Sequence, residues 1–293
     1  MTGGMTSGMT SGITGDTTSG DRVRARPEAG TRRVLAATWA RGLAGVAAFL
    51  LLGEVLGRCG VISQAVLPLT STVLARAVGL AGNGRFLADA AATLAAIGAG
   101  LGIAVAVAVP CGLVLGSVPG VRSATRALVE FLRPIPSVSL IPLVALILGP
   151  GLRMNVTLIV YAAIWPVLFN TIHGLDDVDP VAKQTLRAFG FGRLAVVRRV
   201  CLPAAAPFIV TGIRLASSIA IILSIGTGIV TGRIDGNGIG AFIADANSSA
   251  GNTALVLAAA LWAGLLGLAL NALLGWAGRR ALPWYHASLE EDG

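Results

Sequence analysis

Long apolar runs separated by short polar stretches set the pattern of this chain from about residue 36 onward. About 20 residues are needed to cross a hydrocarbon core. By that measure the runs predict six membrane spans, near 36–57, 91–116, 128–148, 155–172, 206–230 and 253–277. The first is the least apolar, with Arg41 near one end and Glu54 near the other. The second pairs Gly98 with Gly102 and Gly112 with Gly116, a spacing that lets helices approach closely. The third carries RPIPSVSLIP, beginning at Arg133, in which Pro134, Pro136 and Pro142 remove backbone donors. The hydroxyls of Ser137 and Ser139 then either serve a kinked packing helix or face a pathway. Trp165 and Asn170 in the fourth span, and Ser217, Ser218, Ser224 and Thr227 in the fifth, are candidates for the same pathway. Trp39, Trp276 and Trp284 stand at span ends, where interfacial anchors are expected.

One stretch interrupts this pattern. Residues 178–203 read VDPVAKQTLRAFGFGRLAVVRRVCLP and gather Lys183, Arg187, Arg193, Arg198 and Arg199. Asp179 suits a helix N-cap, Pro180 the first helical turn, and Gly190 a positive-φ C-terminal position. The pattern predicts a short helix over 180–189. It predicts a second over 193–202 with Leu194, Val197 and Cys201 on one face, before Pro203 opens the next span. A helix–glycine–helix element of this size cannot bury itself. Either it lies on the lipid surface or it docks into another protein.

Composition supports the membrane reading. Hydrophobic residues make up 55% of the 293 positions and charged residues only 12%, against about 25% charged in soluble domains. Mean hydropathy is +0.80. The basic excess, 22 Lys and Arg against 14 Asp and Glu, would suggest nucleic acid only on a soluble domain. Here it sorts by topology. Placing both termini in the cytoplasm puts seventeen basic residues inside and five outside, and makes 173–205 a cytoplasmic loop. The expected organisation is a disordered cytoplasmic tail over 1–33, a membrane domain over 34–285, and a short cytoplasmic tail over 286–293. No removable signal peptide is expected at the N-terminal end. Nucleic acid is not an expected partner; membrane lipid is.

Little points to chemistry of the chain's own. Cys59, Cys111 and Cys201 share no close spacing and are expected as buried small apolar residues. His173 and His286 have no ligand cluster, so no metal site is expected. The only lysine, Lys183, is followed by Gln184 and preceded by no glycine-rich loop, so the chain has no phosphate-binding motif for ATP. The ionisable candidates within the expected spans, Glu54, Arg133 and Arg214 among them, stand near span ends. An intramembrane enzyme should place such groups deeper. That class and a passive channel are the alternatives to a transport subunit.

The charged stretch resembles the cytoplasmic EAA loop of ABC importer permeases. That pattern is Glu-Ala-Ala, three residues, then Gly, with an aliphatic-x-Leu-Pro ending further on. Here it reads Gln184-Thr185-Leu186, Arg187-Ala188-Phe189 and Gly190, then Val200-Cys201-Leu202-Pro203. EFLRPIPSVSLIPL (130–143), LFNTIHGLDDVDP (168–180) and LPAAAPFIVTGIRLA (202–216) are similar to the nitrate/sulfonate/taurine branch of that family. The resemblance covers about 65–285. Gln184, Thr185 and Leu186 depart from the acid and the two alanines, and Ile147-Leu148-Gly149-Pro150-Gly151 stands where the branch has an aromatic-Gly stretch.

The resemblance implies an all-α polytopic membrane protein of the type I ABC importer permease kind, in the cell membrane. It implies two permease copies around a central pathway and two cytoplasmic ATP-binding subunits, which hold the ATP and Mg. An extracellular substrate-binding protein completes the assembly. The first short helix becomes the coupling helix. Asp179, Gln184, Thr185, Leu186, Arg187, Phe189, Gly190, Arg193, Arg198 and Pro203 then form the coupling surface. Phe189 with Leu186 and Thr185 is its apolar knob, and Arg187, Arg193 and Arg198 its polar rim. The outer loops near 58–88, 149–154 and 231–252 would meet the binding protein, with 231–252 the richest in polar groups. Small oxyanions, organosulfonates and pyrimidine-type vitamin precursors all remain as substrates.

Overall fold

The computed structural model describes residues 28–60, 63, 66–232, 238–249 and 252–283, with side chains described from Arg41 onward except at 43. Of the N-terminal tail expected to be disordered over 1–33, residues 28–33 belong to the first helix; the rest of it, the tail 286–293, and Trp39 and Trp284 as anchors fall outside the described residues or side chains. Among the described residues the structure is helical, with no strand.

The chain divides into two units, Met1–Leu51 and Leu52–Gly293. The described part of the first is the N-terminal portion of α1 (Glu28–Arg58). The second contains α2 (Thr70–Ala81), α3 (Gly84–Ser117), α4 (Pro119–Leu132), α5 (Ile141–Leu148) and α6 (Leu152–Asp176). It continues with α7 (Pro180–Ala188), α8 (Arg193–Val196), α9 (Leu202–Thr231), α10 (Ile239–Ser248) and α11 (Thr253–Ala281). Among the described residues four helical segments are long and apolar enough to cross a membrane: Gly84–Ser117, Leu152–Asp176, Arg193–Thr231 and Thr253–Ala281. The bent pair Pro119–Leu132 and Ser137–Leu148 makes a fifth if it counts as one span. The first expected span falls in α1, which is 31 residues long.

Small residues build the centre, where α3, α6 and α9 pack. Gly100, Ala104, Ala108, Gly112 and Gly116 recur every four residues and form one stripe along α3. Ala104 and Ala108 are fully buried. A Cβ at Gly112 would stand 2.7 Å from Thr171 Cβ, and one at Gly116 3.1 Å from Leu175 Cβ. Gly174 and Gly212 do the same between α6 and α9, where a Cβ would lie 2.9 Å from Ala205 Cα and 3.0 Å from the Pro166 carbonyl. Of the two expected glycine pairs, 112 and 116 make the packing surface. Gly98 and Gly102 face open space, so that expectation is corrected: the close-packing stripe runs through Gly100.

Two other expectations change and one sharpens. The prolines expected to kink the third span break it: α4 and the segment Ser137–Leu148, a 3-10 turn followed by α5, are bent by 73°. Pro134 and Pro136 carry no N–H and disfavour α conformation in the residues before them, which breaks the helix there. The second short helix is not separate. After α8 the chain makes a π turn over Val197–Cys201 and runs directly into α9. Pro203 cannot donate to the carbonyl four residues back, and the backbone widens so that the Leu202 N–H bonds Val197 O instead. The extra residue rotates the buried face. Val196 and Cys201 are buried, whereas Leu194 is 81% exposed. Finally, the 231–252 region is not mainly a polar loop. Within it α10 buries Ile239, Ala241, Phe242, Ile243 and Ala246, and packs so closely on α9 that a Cβ at Gly228 would lie 2.8 Å from Gly240 Cα.

Cys201 is buried as expected, but Cys59 and Cys111 are exposed. Asp89, outside the expected second span, lies inside α3 and is 3% exposed. Its carboxylate accepts from Gly238 N–H at 3.0 Å, and Thr93 Oγ1 accepts from Ile239 N–H at 2.9 Å. Together they satisfy donors at the start of α10.

Candidate functional site

The break after α4 opens a cavity. Arg133 caps the C-terminal end of α4, and its guanidinium carbon lies 4.5 Å over the Phe169 ring. A cavity of about 640 Å³ is lined by Arg133, Pro134, Pro136 and Ser137 from the break, and by Trp165 and Asn170 from α6. Tyr161 on the same wall donates its hydroxyl to Leu132 O at 2.8 Å and meets Trp165 edge to face. Trp165 Nε1 is buried with no hydrogen-bond partner, an unused donor on a wall that otherwise carries Ser137 and Asn170. A second cavity of about 440 Å³ shares Arg133, Phe169 and His173 with the first and extends past Arg122, Arg126 and Glu130. Arg122 is paired to Asp176 by two hydrogen bonds of 2.9 and 3.0 Å, and Arg126 to Glu130 at 2.7 Å. Arg133 has no such carboxylate among the described residues. It therefore stands as an uncompensated cation where the two cavities meet.

Six of the expected pathway residues are brought together: Arg133, Pro134, Pro136, Ser137, Trp165 and Asn170. Three are not. Ser139 does not line the cavity and gives its N–H to Pro136 O. Ser217 is fully buried and donates to Arg214 O at 2.8 Å. Ser224 accepts from Asn155 Nδ2 at 2.9 Å, and Asn155 Oδ1 accepts in turn from Thr227. That trio ties α6 to α9.

The charged stretch adopts a well-terminated local structure. Asp179 Oδ1 accepts from Val181 N–H at 2.8 Å, with Pro180 in the first turn. At the other end Gly190 has φ +80°, Gly190 N–H bonds Arg187 O, and Phe191 N–H bonds Leu186 O. This paired arrangement needs a left-handed residue at Gly190. Phe189 is 78% exposed, beside the exposed Gln184, Thr185 and Arg187. Arg193, Arg198 and Pro203 are exposed as well. Thr185 Oγ1 donates to Val181 O.

Leu186 is placed otherwise than expected. It turns inward against Leu175, Val196, Cys201, Ala205 and Ile209. The exposed apolar positions are instead Val181, Phe189, Phe191 and Leu194.

Two ties went unread in the sequence. Lys183 Nζ donates to Leu175 O at 2.9 Å, placing a cation on the free carbonyls at the end of α6. Arg122 and Asp176 join the start of α4 to the same end. The signal for the first was a lysine seven residues beyond a helix C-terminus. The second pair spans 54 residues and left no local signal.

An all-helical core with several membrane-length helices, a mainly apolar cavity with an arginine at a broken span and a structured loop beyond it defines a polytopic membrane protein. Residues 98–283 match the family described as binding-protein-dependent transport system inner membrane component, and the chain belongs to that family. It is similar to a putative aliphatic sulfonates transport permease protein of Bacillus subtilis (strain 168), 28% identical over 275 residues, 91% of this chain and 94% of the relative. It is also similar to a taurine transport system permease protein of Escherichia coli (strain K12), 29% identical over 234 residues, 76% of this chain and 82% of the relative. A nitrate import permease protein of Leptolyngbya laminosa is 31% identical over 176 residues, 59% of this chain and 62% of the relative. The chain thus spans a little under two thirds of the nitrate permeases it matches. Kinship with ABC importer permeases of the nitrate/sulfonate/taurine branch holds. In fold the chain is like a permease of the inward-facing methionine ABC transporter MetNI, with TM-score 0.54 and 21% identity, covering 65% of this chain and 91% of that one. These relatives are named permeases, not enzymes.

Proposed function

We propose that this chain forms the translocation pathway of an ATP-driven importer for a small anion, with nitrate-like ions and organosulfonates as the substrate class. The observation that carries the reading is Arg133, an uncompensated cation at the meeting of two cavities beside the break in a membrane span. A cation placed there lowers the cost of taking an anion out of water. Neighbouring Ser137, Trp165 and Asn170 add donors that suit oxyanion oxygens. Energy comes from ATP-binding subunits docked on α7, two of them beneath a pair of permease copies, and substrate from an extracellular binding protein. The basic bias places α7 and both termini in the cytoplasm.

The test is reconstitution into liposomes with the ATP-binding and binding-protein partners, followed by uptake of nitrate, taurine and an alkanesulfonate. Ser137→Trp should abolish uptake while leaving assembly with the ATP-binding subunit intact. Gly190→Val should abolish both uptake and substrate-stimulated ATP hydrolysis, because valine at φ +80° costs roughly 1–2 kcal/mol or more and re-aims α7. In intact cells, a cysteine at Arg193 should be shielded from impermeant thiol reagents and one at Ser248 labelled. Normal uptake by Ser137→Trp sinks the pathway assignment. Full stimulated hydrolysis in Gly190→Val sinks the coupling assignment, and labelling at 193 but not 248 sinks the orientation.

A further inference from the structure

Two arginines that serve neither the cavity nor the coupling loop meet over one glycine. Arg214 reaches out from α9 and Arg279 from the last turn of α11. A Cβ at Gly275 would stand 3.7 Å from the guanidinium carbon of Arg214 and 3.7 Å from Arg279 Nη1. Both charges therefore share the space above the bare backbone of α11. Asn271 Oδ1 accepts from Arg214 Nε at 3.2 Å and holds the fork in place. One residue from Gly275, the Trp276 ring carries Arg280 at 4.9 Å. All three arginines are exposed, and none pairs with a carboxylate among the described residues.

Like charges this close repel, and the repulsion grows where water is scarce. An anion that accepts from both forks relieves it. Its depth is marked by Trp276, since exposed tryptophans at helix ends sit at the headgroup boundary. Phosphate matches the planar donor fork of guanidinium in two-point geometry. Above the charges, toward the middle of α11, the same helix face presents Leu268, which is 66% exposed. That is the surface an acyl chain would cover.

We propose that the surface where Arg214 of α9 meets Arg279 of α11 binds the phosphodiester headgroup of an anionic lipid, in the leaflet at the C-terminal end of α11. Arg214 and Arg279, packed over the buried Gly275, grip the phosphate, and Arg280 on Trp276 adds charge at the rim. Nothing in this depends on the transported solute or on ATP.

The experiment uses the full chain purified in a neutral detergent, titrated separately with phosphatidylglycerol, phosphatidylcholine and inorganic phosphate. The readouts are thermal stability, retained lipid by native mass spectrometry, and oligomeric mass by light scattering. Phosphatidylglycerol should stabilise the protein and remain bound where phosphatidylcholine does not. Arg214→Gln with Arg279→Gln should weaken this by about tenfold or more, the loss of at least one charge-assisted contact. Arg279→Gln alone, at an exposed helix end, should show part of the loss without disturbing the fold, and Arg153→Gln none. Equal binding of both lipids, or unchanged phosphatidylglycerol retention in the double variant, overturns the proposal. So does stabilisation by inorganic phosphate alone, which would mark a free-anion site. Dissociation of the variant into monomers with lipid retention intact would instead assign the arginines to a second copy's carboxylates.

Discussion

Replacing Asp89 with alanine should release α10 from the bundle. The carboxylate is 3% exposed and accepts from Gly238 N–H at 3.0 Å, at the N-terminus of a ten-residue helix. Losing a hydrogen bond to a charged, buried group costs about 1.5–3 kcal/mol. Losing a negative charge at a partly buried helix N-terminus costs up to about 2 kcal/mol more. The two overlap, so about 2–4 kcal/mol is a fair working figure. For a domain of this size each kcal/mol moves the melting temperature by about 2–4 °C, which gives a fall of roughly 5–15 °C. Asp89→Asn keeps an acceptor and should fall by less. Thr93→Val removes only the neutral acceptor for Ile239 N–H and should cost about 1 kcal/mol.

The melting transition can be followed by tryptophan fluorescence, because Trp262 packs in the same cluster as Phe242 and Ile243. A second readout is thiol labelling of Ile243→Cys, in a background where the exposed Cys59 and Cys111 are replaced. Ile243 is 8% exposed and should label slowly, but much faster once Asp89 is gone. An Asp89→Ala protein that melts within a degree or two of the parent and leaves residue 243 protected would refute the capping argument.

Two further outcomes separate packing from docking. Gly112→Leu should prevent recovery of folded protein, since its Cβ would already stand 2.7 Å from Thr171 and 3.2 Å from the Leu168 carbonyl. Gly102→Leu, with nothing within 4 Å, should leave yield and size-exclusion profile unchanged; equal behaviour of the two would refute the stripe. Leu186→Ala should lower the melting temperature by the equivalent of about 2 kcal/mol through lost packing on Leu175 and Ala205. Phe189→Ala should leave it unchanged and weaken capture of the ATP-binding subunit, so the reverse pattern would show that Phe189 packs and Leu186 docks.

The sequence determined those features whose causes lie within a few residues of each other. Membrane-length apolar runs follow from the length of the bilayer core and need no partner to be recognised. The start of α7 at Asp179-Pro180 and its end at Gly190 were legible because the cap bond spans two residues and the left-handed turn is a property of one. The break at Pro134 and Pro136 was visible as a kink, and its proximity to Ser137 followed from the chain itself.

What tertiary structure decided was which of several equivalent local patterns meets a neighbour. α3 offers glycines at 98 and 102 as readily as at 100, 112 and 116. Only the approach of Ile159, Thr171 and Leu175 on α6 selects the second stripe. The inward turn of Leu186 depends on a π turn whose extra residue rotates Val196 and Cys201 toward the core. The union of Arg133 with Trp165 and Asn170 needed α6 to fold back on the broken span. Asp89 and Gly238 are 149 residues apart, and nothing near either one announces the other. Capping, turns and span length are settled by the backbone's own geometry and by water. Stripe choice and long-range pairing are settled by close packing, which has no meaning until a second surface is present.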